Sequence, residues 1–138
     1  MKLINECEDV RVSTTGIEVK YSDDAEAILS LCAYAGFDAG SKLYKVNIRF
    51  ALVAEVLCKT VNFYESNYKQ FEIVSDSDSK SSDISGFYQV IDSSHLAKNK
   101  ELYDPRNNLN LKHYLVVGGD GYCEILAASY SLSWLSEA

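Results

Sequence analysis

Proline, histidine and closely spaced cysteines are what this 138-residue chain most lacks. It has one Pro, two His and four Cys, and no two cysteines form a Cys-x-x-Cys pair. A single Pro argues against a long system of ordered loops. Because zinc sites need close Cys or His pairs, we expect no metal, and no other cofactor. The N-terminus has no apolar signal sequence, so we expect reduced thiols and a cytoplasmic protein.

Positive charge and long apolar runs are also scarce. The 13 basic residues are outnumbered by 20 acidic ones, which gives a formal net charge of -7. Such a chain repels polyphosphate and anionic lipid, so nucleic acid and membranes are not expected partners. No window approaches the roughly 18 to 20 uninterrupted apolar residues of a membrane-spanning helix, and the nearest one, residues 25–37, is too short. The same charge favours encounter with a basic protein partner.

Residues that favour β-strands are abundant. Ten Tyr, five Phe and many Val and Ile fit a pleated, half-buried surface better than a helix face. The length, with a hydrophobic fraction of 47%, suits a single domain over residues 1–138. We predict an α+β, strand-rich fold. It is a curved antiparallel β-sheet, a sandwich or half-barrel, of about six to eight strands with one or two short helices.

The N-terminal third predicts a hairpin followed by an ambiguous apolar segment. Alternating apolar residues on both sides of a glycine-containing turn predict a hairpin over residues 10–21. Residues 22–24 then suit the N-terminal end of a helix that would run through residues 28–32. A buried strand is the alternative, and the two interpretations remain open here. Residues 36–41 have the composition of a loop.

The central region combines a long apolar run with a polar, low-complexity stretch. Residues 43–64 exceed the usual strand length of about 3 to 10 residues, so they must bend, bulge or divide. We predict a division near residues 54–56. Segment 75–85 is expected to be a flexible loop, because its Ser- and Asp-rich part has no apolar side chain to offset the entropy of ordering. That loop would join strands at 71–74 and 87–91 as a hairpin.

The C-terminal half gives the clearest local signals. Residues 93–96 are typical of the start of a short helix, which would end before Pro105. Two strand-like segments, 113–117 and 122–128, flank a glycine-rich turn and predict a tight hairpin. Residues 130–135 extend its second strand or add a last one.

Two loops resemble ligand sites only superficially. Segment 76–87 begins like a calcium loop, but Lys80, Ser81 and Phe87 stand where an oxygen ligand, glycine and glutamate belong. The glycine-rich turn at 118–121 is followed by a strand and not by the helix whose N-terminus would bind phosphate. We expect neither calcium nor phosphate to bind.

The sequence does not single out a catalytic group. Spacing pairs neither His95 nor His113 with a nucleophile, so we expect structural roles for both histidines and no enzyme activity. The nucleophiles considered are Cys58, Cys123 and Ser129. The carboxylates from which an acid–base pair could be drawn are Glu65, Glu72, Asp92, Asp104, Asp120 and Glu124.

Aromatic residues exceed what a small core usually needs, so some are expected at the surface. Exposed Tyr beside carboxylates is the composition of a protein-binding face, although the rings could instead fill a sheet-on-sheet core. The predicted partner-binding residues are Tyr64, Glu65, Tyr68, Asp76, Asp78, Asp83, Tyr103 and Asp120.

Three C-terminal segments, residues 85–96, 111–117 and 121–127, resemble small bacterial proteins found as immunity proteins beside secreted toxins. The resemblance covers roughly the C-terminal third of the chain. It implies a cytoplasmic, strand-rich protein that binds a toxin domain and covers its active site. Toxin nucleases tend to be basic because they hold polyphosphate, so an acidic inhibitor suits them.

We therefore predict a non-enzymatic protein-binding domain, most concretely an immunity protein that neutralises a cognate toxin. The alternative is a small ligand-binding or enzymatic domain whose pocket lies inside the curved sheet, with His113 or His95 as its polar group. A filled sheet interior with a broad acidic face would argue against the pocket. A deep cleft converging on a histidine would argue against the inhibitor. Self-association into a homodimer through an exposed strand edge is a third hypothesis.

Overall fold

Alternating apolar and polar side chains build nine β-strands and one α-helix in the part of the chain that the computed structural model describes. That part comprises residues 1–7, 10–13, 16–35, 42–60, 71–74, 85–119 and 121–137. The strands are β1 (Lys2–Asn5), β2 (Val10–Val12), β3 (Glu18–Ser22), β4 (Glu26–Ala35), β5 (Leu43–Thr60), β6 (Glu72–Ile73), β7 (Gly86–Ile91), β8 (Lys112–Val117) and β9 (Gly121–Glu137). The helix, α1, is Ser94–Tyr103. The predicted strand-rich fold with a short helix is confirmed, with nine strands in the described residues where about six to eight were expected.

The strands form one curled, open sheet. Its order is β2-β4-β5-β9-β8-β7-β1-β6, and β3 also pairs with β4. All these pairs are antiparallel except β1 with β6. β2 contacts β7 although β4, β5, β9 and β8 lie between them in the order, so the sheet bends round into a half-barrel. The curved, mostly antiparallel sheet is therefore as predicted.

The concave face of the half-barrel is filled by apolar side chains. Its core includes residues of β2, β4, β5, β7, β8 and β9. Aromatic rings occupy its middle, where Phe50 and Tyr114 lie with centroids 5.3 Å apart and Phe87 and Tyr130 lie 4.8 Å apart. Many of the aromatic residues noted in the sequence thus serve the core and not the surface.

The opposite, convex face carries a second, smaller core and the helix. Leu115 and Val117 of β8 point to this side, because side chains alternate along a strand. They pack with Leu3, Tyr88 and further apolar residues of neighbouring strands. None of the residues of α1 is buried, so polar contacts hold the helix against this face. No helix among the described residues has the length and apolarity needed to cross a bilayer.

The predicted hairpin over residues 10–21 is wrong. β2 and β3 do not pair with each other, because each pairs with a different part of β4. β3 and β4 instead form the first hairpin, with residues 23–25 in the turn. Ala25 adopts a positive φ of 68° there. The polar residues 22–24, which suggested a helix N-terminus, therefore belong to a strand end and a turn.

The helix predicted through residues 28–32 is a strand, which was the alternative interpretation. Leu29, Leu31 and Ala33 are buried in the concave core at every second position of β4. Ile28, just before them, and Cys32, between Leu31 and Ala33, point to the other face and are also apolar, so the period of two is hidden in the sequence.

The long apolar run at residues 43–64 contains one continuous strand, β5, as far as Thr60. It does not divide. It bulges instead, since the register with β9 shifts between Val53 and Glu55, and Leu52 has a positive φ of 54°. This bulge lies at the place where a division was predicted, near residues 54–56. A bulge was one of the three alternatives for this run.

The remaining predictions have mixed outcomes. The helix starting near Ser93 and the tight hairpin of β8 and β9 are confirmed, and β9 continues through residues 130–135. The hairpin joining 71–74 to 87–91 is wrong, because β1 lies between β6 and β7. The predicted loop at 36–41 and nearly all of the predicted loop 75–85 lie outside the described residues. All four cysteines are free thiols.

Candidate functional site

The β8–β9 hairpin places His113 and Glu124 side by side on the convex face. Leu115 pairs with Glu124 and His113 pairs with Leu126, so the two polar residues are diagonal neighbours on one face. Their side chains meet with His113 Nε2 2.9 Å from Glu124 Oε1. Both are buried, with exposures of 2% for His113 and 7% for Glu124.

Ser93 connects this pair to the start of α1. Its Oγ lies 2.7 Å from His113 Nδ1 and also accepts the backbone N–H of Leu96 at 3.1 Å. The serine is thus the N-cap of the helix and a partner of the buried histidine at once. The three side chains form a continuous chain from Ser93 through His113 to Glu124.

The charge of Glu124 determines which groups donate and which accept in the hydrogen-bonded series Ser93–His113–Glu124. Its hydrogen bond with His113 lowers the pKa of Glu124 below its ordinary value, and this outweighs the opposing effect of burial. Lys59 Nζ, 3.7 Å from Glu124 Oε2, favours the ionised carboxylate further. An ionised carboxylate only accepts, so His113 Nε2–H donates to it. In a neutral ring Nδ1 is then the acceptor for the Ser93 hydroxyl.

A second polar cluster lies beside the first and fastens α1 to β5. Glu55 Oε1 is 2.8 Å from His95 Nε2, and Glu55 Oε2 accepts the Tyr103 hydroxyl at 2.6 Å. Partial burial raises the pKa of Glu55, but the hydrogen bonds from Tyr103 and His95 outweigh it and hold that pKa below its ordinary value. The hydrogen bond from Tyr103 to Glu55 also raises the pKa of the Tyr103 hydroxyl. The His95 and His113 ring centroids are 6.0 Å apart, so the clusters adjoin.

A cleft of about 530 Å³ opens over the first cluster, between α1 and the ends of β1, β6 and β7. Ser93, His95, His113 and Glu124 all line it. Two further carboxylates, those of the exposed residues Glu72 and Asp92, also line it, whereas Lys2 is the only Lys or Arg among its described lining residues. We call this space, with those seven residues, the α1 cleft. It is a polar site in which carboxylates outnumber lysine and arginine side chains.

The chemical capacity of the α1 cleft lies in proton transfer and in binding cations. A carboxylate, an imidazole and a serine hydroxyl in sequence are the groups of a hydrolase triad, here with Nδ1 and not Nε2 facing the serine. The same contacts also satisfy a buried histidine and a helix cap. No group of three or more His, Cys, Asp or Glu in the described residues could hold a metal ion.

The concave side holds no histidine. A smaller pocket of about 210 Å³ lies at one end of it, lined by residues that include Ile17, Cys58 and Cys123. Both histidines lie on the convex face. A pocket inside the curved sheet therefore does not have a histidine as its polar group, contrary to the alternative hypothesis. The considered nucleophiles Cys58, Cys123 and Ser129 are all described, and the structure brings none of them to a histidine.

Of the predicted partner-binding residues, only Tyr103 lies in the described part of the chain. It is half-buried at the C-terminal end of α1, with its hydroxyl bound to Glu55. The prediction for the other residues stays a prediction, because they lie outside the described residues. These are Tyr64, Glu65, Tyr68, Asp76, Asp78, Asp83 and Asp120.

Sequence reasoning missed Ser93 and Glu55 as site residues and did not join His113 to Glu124. One signal for the pair was present, since a tight turn at 118–121 sets the register of the hairpin and thereby puts both on one face. No local signal placed Glu55 beside α1.

Comparison with protein-family models, with curated proteins and with solved structures finds no match to the chain.

Proposed function

We propose that this chain is a non-enzymatic, cytoplasmic protein-binding domain, most concretely an immunity protein that binds and neutralises a basic toxin domain. The observation that supports it is the charge of the α1 cleft, in which Glu72, Asp92 and Glu124 outnumber the single lysine. A cleft of this size accepts one or two long cationic side chains of a partner. Carboxylates bind arginine through paired, charge-assisted hydrogen bonds, which gives both strength and orientation.

The three carboxylates have different parts in this proposal. Glu124 already interacts with His113 and Lys59, so its charge is largely balanced within the protein. Glu72 and Asp92 are exposed at the rim and present their charge to an approaching partner. Rim charges act mainly on the rate of association and on its dependence on salt. The overall net charge of -7 adds a long-range attraction of the same sign.

Apolar contact area lies at the C-terminal end of α1, the helix whose N-terminal end borders the α1 cleft. Leu102, beside Tyr103 in α1, is 74% exposed. Tyr103 itself is half-buried and is held in one orientation by Glu55. A fixed aromatic side chain beside an exposed leucine provides contact area at little cost in conformational entropy. The surface therefore combines the charge and the apolar contact that a protein partner needs.

The test is capture of partners by the tagged chain from a lysate of its source cells, at low and at high salt, with identification by mass spectrometry. We expect one basic protein that is retained at low salt and lost at high salt. The variant Glu72→Gln/Asp92→Asn should lose it, with an association rate lowered about tenfold in direct binding. The control Glu18→Gln/Asp23→Asn removes two exposed charges of the β3–β4 hairpin and should retain it. Equal loss from both variants would contradict the proposed site.

A second candidate function, hydrolysis of a small ester, rests on the order Ser93–His113–Glu124 and on the α1 cleft itself. The cleft converges on His113 and His95, which is the feature named above as favouring a ligand-binding or enzymatic domain over the inhibitor. Ser93 Oγ would attack the ester carbonyl while its proton passes to His113 Nδ1 and then to the leaving alkoxide; water would release the acid from the acyl-serine. A fluorophosphonate probe would then label wild-type protein and not Ser93→Ala. The matched control Ser94→Ala, which removes the neighbouring exposed hydroxyl, should still be labelled. Absence of labelling in the wild type would refute this candidate and leave the first untouched.

A further inference from the structure

Cys58 and Cys123 are the pair of reactive groups that neither proposed function uses. They lie directly opposite each other on β5 and β9, and their Sγ atoms are 3.4 Å apart. Opposed residues of antiparallel strands have Cα atoms roughly 4.5 to 5.5 Å apart, within the roughly 4.4 to 6.8 Å that disulfides span. Forming a bond of about 2.05 Å requires the sulfur atoms to approach by roughly 1.4 Å, which side-chain rotation can provide.

The two thiols differ in their access to solvent. Cys58 is exposed, whereas Cys123 is buried in the concave core. Both line the pocket of about 210 Å³ at the end of the concave side, so a small molecule has a route to them. Burial raises the pKa of the Cys123 thiol, and its S–H donates to Cys58 Sγ. Cys58 is thus the outer sulfur that meets a reagent first, and Cys123 is the inner sulfur held in contact with it.

We propose that Cys58 and Cys123 are a reversible oxidation site, which closes to a disulfide on reaction with a low-molecular-weight disulfide. The Cys58 thiolate attacks one sulfur of the reagent, the reagent's S–S bond breaks, and one thiolate leaves. The Cys123 thiol then passes its proton to the thiolate that has left and attacks Cys58 Sγ, which breaks the mixed disulfide and releases the second thiolate. Two protein thiols are oxidised, one reagent disulfide is reduced to two thiols, and reducing thiols reverse both steps.

The crosslink would join residues 65 positions apart and fix the register of β5 against β9. Lys59 and Glu124, the next residues on these strands, point to the convex face and pair there at 3.7 Å. The oxidised pair therefore lies directly behind the ion pair at one end of the α1 cleft. This inference does not depend on the proposed function, because it concerns the opposite face of the sheet.

The experiment uses the folded, full-length chain in buffers with increasing ratios of oxidised to reduced glutathione. Free thiols are then trapped by alkylation and mapped by mass spectrometry. We expect four alkylated cysteines in the reduced protein. In the oxidised protein we expect two alkylated cysteines, Cys7 and Cys32. We also expect a crosslinked Cys58–Cys123 peptide about 2 Da lighter than the sum of the two separate thiol peptides.

Variants separate this pair from the other cysteines. Cys58→Ser removes an exposed thiol and should abolish the crosslink, while the matched control Cys7→Ser/Cys32→Ser should still form it. Four alkylated cysteines at every buffer ratio would overturn the proposal, as would a stable glutathione adduct on Cys58 with Cys123 still free. Mapping of the wild-type chain decides the question even if a variant at the buried Cys123 does not fold.

Discussion

Replacing Glu124 with leucine tests whether the buried carboxylate holds His113 in place. The substitution removes the acceptor 2.9 Å from His113 Nε2 and puts an apolar side chain of similar length there. Water replaces the carboxylate poorly, because His113 is only 2% exposed. A buried donor left without a partner costs about 1–3 kcal/mol, so we expect a loss of about 2 kcal/mol in the free energy of unfolding.

A double-mutant cycle isolates the interaction from the change in packing. His113→Leu alone leaves the Glu124 carboxylate with Lys59 as its remaining charged partner, at 3.7 Å, and should also cost about 2 kcal/mol. In His113→Leu/Glu124→Leu neither polar group remains, so the double variant should lose less than the sum of the single losses. We expect a coupling of about 1–3 kcal/mol, measured by urea unfolding at neutral pH with circular dichroism.

The control for this cycle is the exposed ion pair of Arg49 and Glu26, with Nε and Oε1 3.1 Å apart. The same leucine substitutions there should couple by about 0.2–1 kcal/mol, since exposed pairs contribute little. A coupling between His113 and Glu124 below about 0.5 kcal/mol would mean that the two sites act independently. The buried chain from Ser93 to Glu124 would then not hold the α1 cleft together.

Three further predictions concern pH, the hairpin turn and the concave core. The lowered pKa of Glu124 means that its carboxylate stabilises the fold above the unfolded value of about 4.3, and that this stabilisation is lost as the pH falls through the folded value. The destabilisation by Glu124→Gln in urea unfolding should therefore shrink from about pH 7 to about pH 3; a constant difference would contradict the reasoning. Gly121→Ala puts a Cβ 2.5 Å from the backbone oxygen of Lys59 and should cost about 1–3 kcal/mol in the same assay. Gly118→Ala, whose Cβ would meet a flexible side chain at 3.2 Å, should cost less, and equal losses would refute the steric explanation. Phe50→Ala, at a fully buried position among aromatic rings, should cost about 3–5 kcal/mol, and a loss below about 1 kcal/mol would mean that the concave core is loosely packed.

Elements with local signals were predictable from the sequence, and elements that depend on distant pairing were not. The β8–β9 hairpin was predicted because its glycine-rich turn and both strands are contiguous. β1 was not predicted, since it has only four residues, Lys2–Asn5, and pairs with β7 more than 80 positions later in the chain. The helix predicted over β4 shows the same limit, because only its neighbours β3 and β5 make this apolar segment extended.

The candidate site was predictable only in part for the same reason. Ser93 was identified as the start of a helix, and the register of the β8–β9 hairpin relates His113 to Glu124. That α1 lies back across the convex face and brings Ser93 to His113 is a tertiary contact between residues 20 positions apart. Propensity and alternation describe single elements, so they cannot give the placement of one element upon another.

The position of Glu55 shows how the curl of the sheet and the site depend on each other. Val53 and Val56 both face the concave core although they are three residues apart, which regular alternation does not allow. The register shift between Val53 and Glu55 provides the irregular step. Without it Glu55 would point into the apolar core, where an ionised carboxylate is strongly disfavoured. The bulge that lets an 18-residue strand follow the curl therefore also turns this carboxylate to the convex face, where it binds α1.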